Sequence, residues 1–269
     1  MNGKKILFVS SELVPYLPEN QVSLMSYEAP RMVNSNGGQI RIFMPRYGNI
    51  NERRHQLHEV IRLSGMNLVI NDMDMPLIIK VASIPRERIQ VYFIDNEEYF
   101  KRKGTFKDKE GKLFSDNDER AIFFAKGVVE TVKKLNWSPD IIHVNGWLAS
   151  LLPLYLKEFY ADEPIFADSK IVTSVYAQNF DGTLDGNMQK KIAFDGIDES
   201  KIKVLESPDY NNLLKVAIDF SDAVILASEE ISEELTEYIS KSDKPVLPYV
   251  SFQETEEAYS NFYKTEVLK

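Results

Sequence analysis

Near its start the chain runs Ile6-Leu7-Phe8-Val9 without a break and then turns polar at Ser10-Ser11-Glu12. An uninterrupted apolar run of strand length is buried on both faces, which places it inside a parallel sheet covered by helices on either side. The run is too short for a membrane span or for the apolar core of a signal peptide. A helix is expected from about Val22 to Asn34, kinked or interrupted at Pro30, whose ring removes an amide donor. Asn36-Gly37-Gly38 should end it, and Ile40 to Met44 then reads as a second strand. This β-α-β order opens a doubly wound α/β fold, Rossmann-like and mainly parallel.

The pattern changes between Leu57 and about Ala82, where apolar stretches at Leu68-Val69-Ile70 and Ile78-Ile79 are separated by Ser64-Gly65 and Asn71-Asp72. Turns there predict an antiparallel β excursion. Further strands are expected at Ile89–Ile94, Ile141–Val144, Lys170–Val175 and Ala223–Ala227, and an exposed loop at Lys101–Lys112. Helical periodicity marks Asp116–Leu135, Trp147–Tyr160, Leu213–Phe220 and Glu229–Ile239. The tail from Glu254 to Val267 is amphipathic, with Tyr259, Phe262, Tyr263 and Val267 near one face, and is expected to pack back onto the rest. Nothing resembles a repeat, a linker or a break in composition, so a single domain spanning 1–269 is expected.

The formal net charge of -9 argues against a nucleic-acid or anionic-membrane partner, whose phosphates an acidic protein repels. There is no cysteine, which removes disulfides, thiolate catalysis and Cys-based metal sites. His55 and His58 have helical spacing but no third ligand for zinc. No metal or cofactor is expected, and cytoplasmic residence is. Glu229, Glu230, Glu233, Glu234 and Glu237 read as a solvated helix face.

Several blocks are more specific. Ser10-Ser11-Glu12, Pro45-Arg46-Tyr47-Gly48, Tyr92-Phe93-Ile94-Asp95-Asn96, Asp116-Asn117-Asp118-Glu119-Arg120 and Trp137-Ser138-Pro139-Asp140-Ile141-Ile142-His143 occur in that order, followed by Trp147 and Pro153-Leu154-Tyr155-Leu156-Lys157. Together they resemble the bacterial glycogen synthase and plant starch synthase family. The resemblance implies a GT-B-type glycosyltransferase, in which two Rossmann-like domains face each other across a cleft. Such enzymes transfer glucose from a nucleotide sugar, usually ADP-glucose in bacteria, to an α-1,4-glucan. This chain looks like the N-terminal, acceptor-side half alone.

The resemblance also shows what has changed. The family's Lys-x-Gly-Gly-Leu phosphate loop falls on Pro18-Glu19-Asn20-Gln21-Val22. Such a loop needs glycine so that backbone amides can approach a phosphate at a helix N-terminus; both glycines and the lysine are gone. The His-Asp-Trp-His motif falls on Asn145-Gly146-Trp147-Leu148, and Thr-x-His-Asn on Ser174-Val175-Tyr176-Ala177, so no imidazole stands at either place. A phenol with a pKa of about 10 is a poor base at neutral pH. Trp147 reads as core packing or a sugar platform. His143, at its strand end, reads as a structural histidine. Asp116 matches an acidic family position near the acceptor cleft, or else caps a helix in a capping box with Glu119.

Asp116, Asn145, Trp147 and Tyr176 are therefore the candidate ligand-binding residues, with no catalytic residue assigned. Two functions remain open. One is a catalytically inactive binding or regulatory protein whose ligand is a glucan or nucleotide sugar, with a second copy or a protein partner on the cleft face. The other is an ADP-glucose-dependent α-1,4-glucosyltransferase completed by a partner chain.

Overall fold

The first strand, β1 (Lys5–Ser10), is buried from Ile6 to Ser10, as its unbroken apolar run requires. The structure is a computed structural model that describes residues 1–85 and 87–269. β1 pairs in parallel with β2 (Gln39–Pro45) on one side and β7 (Ile141–Asn145) on the other. The parallel run continues from β2 to β6 (Gln90–Asp95), and from β7 through β8 (Lys170–Val175) and β9 (Ala223–Leu226) to β10 (Val246–Leu247). Beyond β6 the sheet turns antiparallel. β5 (Met73–Ser83) pairs with β6, and both β3 (His58–Glu59) and β4 (Met66–Ile70) pair with β5. Among the described residues the order is β10-β9-β8-β7-β1-β2-β6-β5-β3, with β4 off the path. The doubly wound, mainly parallel α/β class and the excursion are both as the sequence implies.

Burial follows position in the sheet. β7 is buried at every residue, whereas β5 alternates, with Met75, Leu77, Ile79 and Val81 inward and Asp74 and Pro76 outward. Two covered faces demand the first pattern and one the second. α1 (Gln21–Ser35) packs on β1 and β2, and on α8 (Thr255–Phe262). α3 (Asn117–Leu135) and α4 (Leu152–Lys157) pack together, as do α4 and α6 (Tyr210–Asp219). α3 closes on β6 because Gly127 lies inside it: a Cβ there would sit 2.9 Å from Ile94 Cγ2. α2 (Glu97–Phe100), α5 (Met188–Ala193) and α7 (Glu233–Ser240) are short.

Four expectations are corrected. α1 runs unbroken through Pro30, which is buried on the same face as Ala29 and Val33, so packing offsets the lost amide bond. The single helix expected over Trp147–Tyr160 is instead a 3-10 turn at Trp147–Ala149 followed by α4, restarting where Pro153 has no amide to donate. Glu229 and Glu230 precede α7 rather than belonging to it, although all five glutamates are exposed. The fourth concerns Asp116, described with the site.

The tail closes the structure. Tyr259, Phe262, Tyr263 and Val267, from α8 and the π-helical turn Tyr263–Val267, are all buried. One hydrophobic cluster extends from Met1 to Val267.

Candidate functional site at the strand ends

In an open α/β sheet, ligands bind beyond the carboxyl ends of the strands. Here Ser10, Asn145 and Ser174 lie side by side in register at those ends. α1 begins next to them, and its first amides would be a natural anion site. The chain's own side chains occupy that position. Asn20 caps the helix, accepting from the Ser23 amide at 2.8 Å, while its own amide donates to Ser23 Oγ at 2.9 Å. Behind the cap lies Glu12, 6% exposed, which accepts from Asn20 Nδ2 at 3.1 Å and Gln178 Nε2 at 2.8 Å. Burial pushes its carboxyl above the usual value, against the pull of those two donors. Gln21 then ties α1 to the far strands: Nε2 donates to the Ala227 carbonyl, and Oε1 accepts from Ser228 Oγ, which itself accepts from the Ala177 amide.

The turn after β7 is equally closed. Gly146 adopts φ 80°, and a Cβ there would lie 2.6 Å from Ser11 Oγ, so only glycine fits. The same Ser11 hydroxyl accepts from the Leu148 amide at 3.1 Å. Asn145 and Tyr176 meet: the Tyr176 hydroxyl donates to Asn145 Oδ1 at 2.7 Å, and both residues are 2% exposed. Asn145 Nδ2 is buried without a partner among the described residues. Burial holds the Tyr176 phenol well above its ordinary pKa, which removes it as a base. Trp147 is buried and packs its ring between Phe106 and Phe180, with centroids 4.7 and 4.9 Å away. Phe180 in turn stacks edge-on against Tyr210, whose hydroxyl donates to the Tyr176 carbonyl.

His143 makes a Ser-His-Tyr chain, with Nε2 2.7 Å from Ser174 Oγ and Nδ1 2.6 Å from the Tyr263 hydroxyl. The arrangement superficially suggests an activated serine, but all three residues are 1% exposed or less, and no carboxylate orients the ring. Burial pushes the imidazole from 6.5 down to about 3, so it stays neutral. The histidine is structural.

Asp116 has a different partner from Asn145, Trp147 and Tyr176. It precedes α3 but makes no side-chain cap bond; both carboxylate oxygens instead lie 2.7 Å from Arg102 Nη2. The capping-box reading is therefore overturned. Glu119, its supposed partner, accepts from the Tyr99 hydroxyl and pairs with Lys191. Lys191 bridges Asp118, Glu119 and Asp185 at 2.7, 2.8 and 2.9 Å. Burial raises the pKa of Asp118, opposed by the Lys191 ammonium.

Next to this cluster a pocket of about 550 Å³ is open between the 107–115 and 181–185 loops. Its walls carry Lys107, Lys112, Phe114, Thr183, Asp181 and Asp185, a mixture of donors and acceptors around one aromatic ring. At the rim of the strand ends, Leu24, Tyr249 and Phe252 are exposed around a smaller pocket of about 170 Å³. Among the described residues no cluster of His, Cys, Asp and Glu could hold a metal. None of the helices described is long and apolar enough to cross a membrane. Sequence reasoning missed Gln178, Ser228 and Tyr210. These are polar groups in loops or at a helix start, brought to the crevice only by the sheet order.

The fold and the strand-end crevice define one half of a GT-B-type glycosyltransferase fold. The chain belongs to the starch synthase catalytic domain family, whose model matches residues 5–243. It is 35% identical over 232 residues to the glycogen synthase of Chlorobium limicola and 36% over 236 residues to that of Chlorobaculum parvum. Each comparison covers 86% of this chain and 47% of the relative, so the chain spans about half the length of these curated relatives. In structure it is similar to the catalytic domain of starch synthase IV from Arabidopsis thaliana bound to ADP and acarbose. The TM-score is 0.75 at 15% identity, over 93% of this chain and 52% of that one.

Proposed function

We propose that residues 1–269 form a single glycogen/starch synthase-like N-terminal domain that is catalytically inactive alone and acts in the cytoplasm as a binding or regulatory protein. The carrying observation is that the helix end where the family's phosphate loop falls is closed by Asn20, Ser23 and buried Glu12. The positions of the lost imidazoles are likewise filled by buried Asn145, Leu148 and Tyr176. Polar contacts of this kind are typically worth about 3 kcal/mol each in a transition state, so losing several removes useful rate.

A glucan is the ligand this reading favours, in the open pocket walled by Phe114 and Asp185. Asp116, adjacent in sequence to the wall residue Ser115, is the candidate contact there. Asn145, Trp147 and Tyr176 act from behind by shaping the loops. The exposed rim at Leu24, Tyr249 and Phe252 supports a second copy or a protein partner on the cleft face.

Thermal-shift titration with maltooligosaccharides and with ADP-glucose tests the reading. A shift with maltooligosaccharides that Phe114→Ala removes is expected, with none from ADP-glucose. A shift with ADP-glucose would favour the second reading, an ADP-glucose-dependent α-1,4-glucosyltransferase completed by a partner chain, which the identity to glycogen synthases supports.

A further inference from the structure

At the opposite end of the sheet, where β2 and β6 begin, a second pocket of about 390 Å³ is lined by Arg41, Arg62 and Lys134 together with Gln90, Tyr92 and Leu63. Three separate segments bring the cations there: β2, the excursion before β4, and the last turn of α3. Their surroundings set them apart from the other basic residues of an acidic protein. Lys133, one residue away, is neutralised by Glu130 and Glu163. Among the described residues neither Arg41, Arg62 nor Lys134 has a carboxylate within ion-pair distance, and Lys134 donates only to the Leu63 carbonyl at 3.3 Å.

Arg41 is the built part of this site. Its guanidinium lies 4.8 Å from the Trp137 ring and 5.7 Å from the Tyr92 ring, which fix its plane. Its Nη1 is buried with no hydrogen-bond partner among the described residues. Burial disfavours its charge, Tyr92 opposes that effect, and the Arg62 charge adds to it. An incompletely bonded guanidinium held against two aromatic rings and flanked by two exposed cations is how proteins hold a phosphate group, with the arginine giving geometry and the lysine a point charge. The net charge of -9 repels extended polyanions such as nucleic acid or an anionic bilayer, which leaves a small soluble ligand.

We propose that the Arg41–Arg62–Lys134 pocket binds a small phosphorylated metabolite, at a site remote from the strand-end crevice and independent of whether that crevice is active. Trp137, in contact with Arg41, supplies the readout, because the other tryptophan, Trp147, packs in a separate aromatic cluster. Pyrophosphate is the probe, titrated at low salt and followed by tryptophan fluorescence and calorimetry. One saturable site per chain is expected, weakened at least about tenfold in Arg62→Ala/Lys134→Ala. Lys241→Ala, on an exposed helix end with its own Glu237 partner, should bind like the parent chain. Both substituted positions in the double variant are exposed, so it is expected to fold, and its thermal unfolding is compared directly. Absence of saturable binding to the parent chain, binding unchanged in the double variant, or equal weakening by Lys241→Ala would each overturn the proposal.

Discussion

The Tyr263 hydroxyl lies 2.6 Å from Nδ1 of His143, joining the tail to a strand in the middle of the sheet. The family match ends at residue 243, yet the residues after it complete the core around that histidine. Tyr263→Ala should cost about 4 kcal/mol, from the cavity and the unpaired ring nitrogen together. Tyr263→Phe, which removes the hydroxyl alone, should cost about 1–2 kcal/mol. Urea unfolding of the two variants measures both, and a Tyr263→Phe variant as stable as the parent chain would mean that the hydrogen bond contributes nothing.

His143 also gives the fold a pH dependence of known sign. Burial takes its pKa from 6.5 to about 3, so between those values the unfolded chain binds a proton that the folded chain refuses. Its neutral-state stability is complete above pH 6.5 and is lost as pH falls toward 3, by up to about 5 kcal/mol. Glu12 and Asp118, whose pKa values burial raises, act in the opposite direction in the carboxylate range. His143→Asn isolates the histidine: stability measured from pH 7 downward should fall less steeply in the variant than in the parent chain.

Among the described residues Lys191 is the single cation for Asp118, Glu119 and Asp185, and Asp118 is fully buried. Lys191→Met should destabilise by about 3–5 kcal/mol because a buried carboxylate is left uncompensated. The loss should shrink at low pH, where Asp118, its pKa raised by burial, takes up a proton. A pH-independent loss would assign the effect to packing of the lysine stem instead.

Asp116 and Arg102 form a partly exposed pair, with side chains 25% and 38% accessible. A double-mutant cycle on the two alanine variants should return a coupling of about 0.5–1 kcal/mol. Zero coupling would mean that the ion pair contributes nothing to stability.

The parallel strands were legible because burial on both faces leaves an unbroken apolar run, as at Ile6–Val9, and the excursion because β5 needs only one buried face. Helix ends were less so. Pro30 reads locally as a break, and only tertiary burial explains its place inside α1. Residues 147–160 carry helical periodicity, but the turn at Gly146 and the imide of Pro153 divide them. At the site, motif positions told which polar groups had been replaced. They could not tell that Gln178 reaches Glu12, or that Tyr263 reaches His143, since such contacts depend on strand order and on where the tail returns. For Asp116 the sequence left a cap and a cleft position both open, because its actual ion-pair partner, Arg102, lies in a loop without periodicity.

That a synthase-family framework persists here without the family's chemistry stands or falls on a radiolabel assay of the purified chain. Transfer of glucose from ADP-glucose and from UDP-glucose to a maltooligosaccharide is followed in a preparation free of any synthase. No transfer above the enzyme-free control is expected, because the strand-end positions are capped, buried or occupied by Asn20, Glu12, Asn145 and Tyr176. Turnover that disappears in Asp116→Ala would contradict this and establish the chain as a glucosyltransferase.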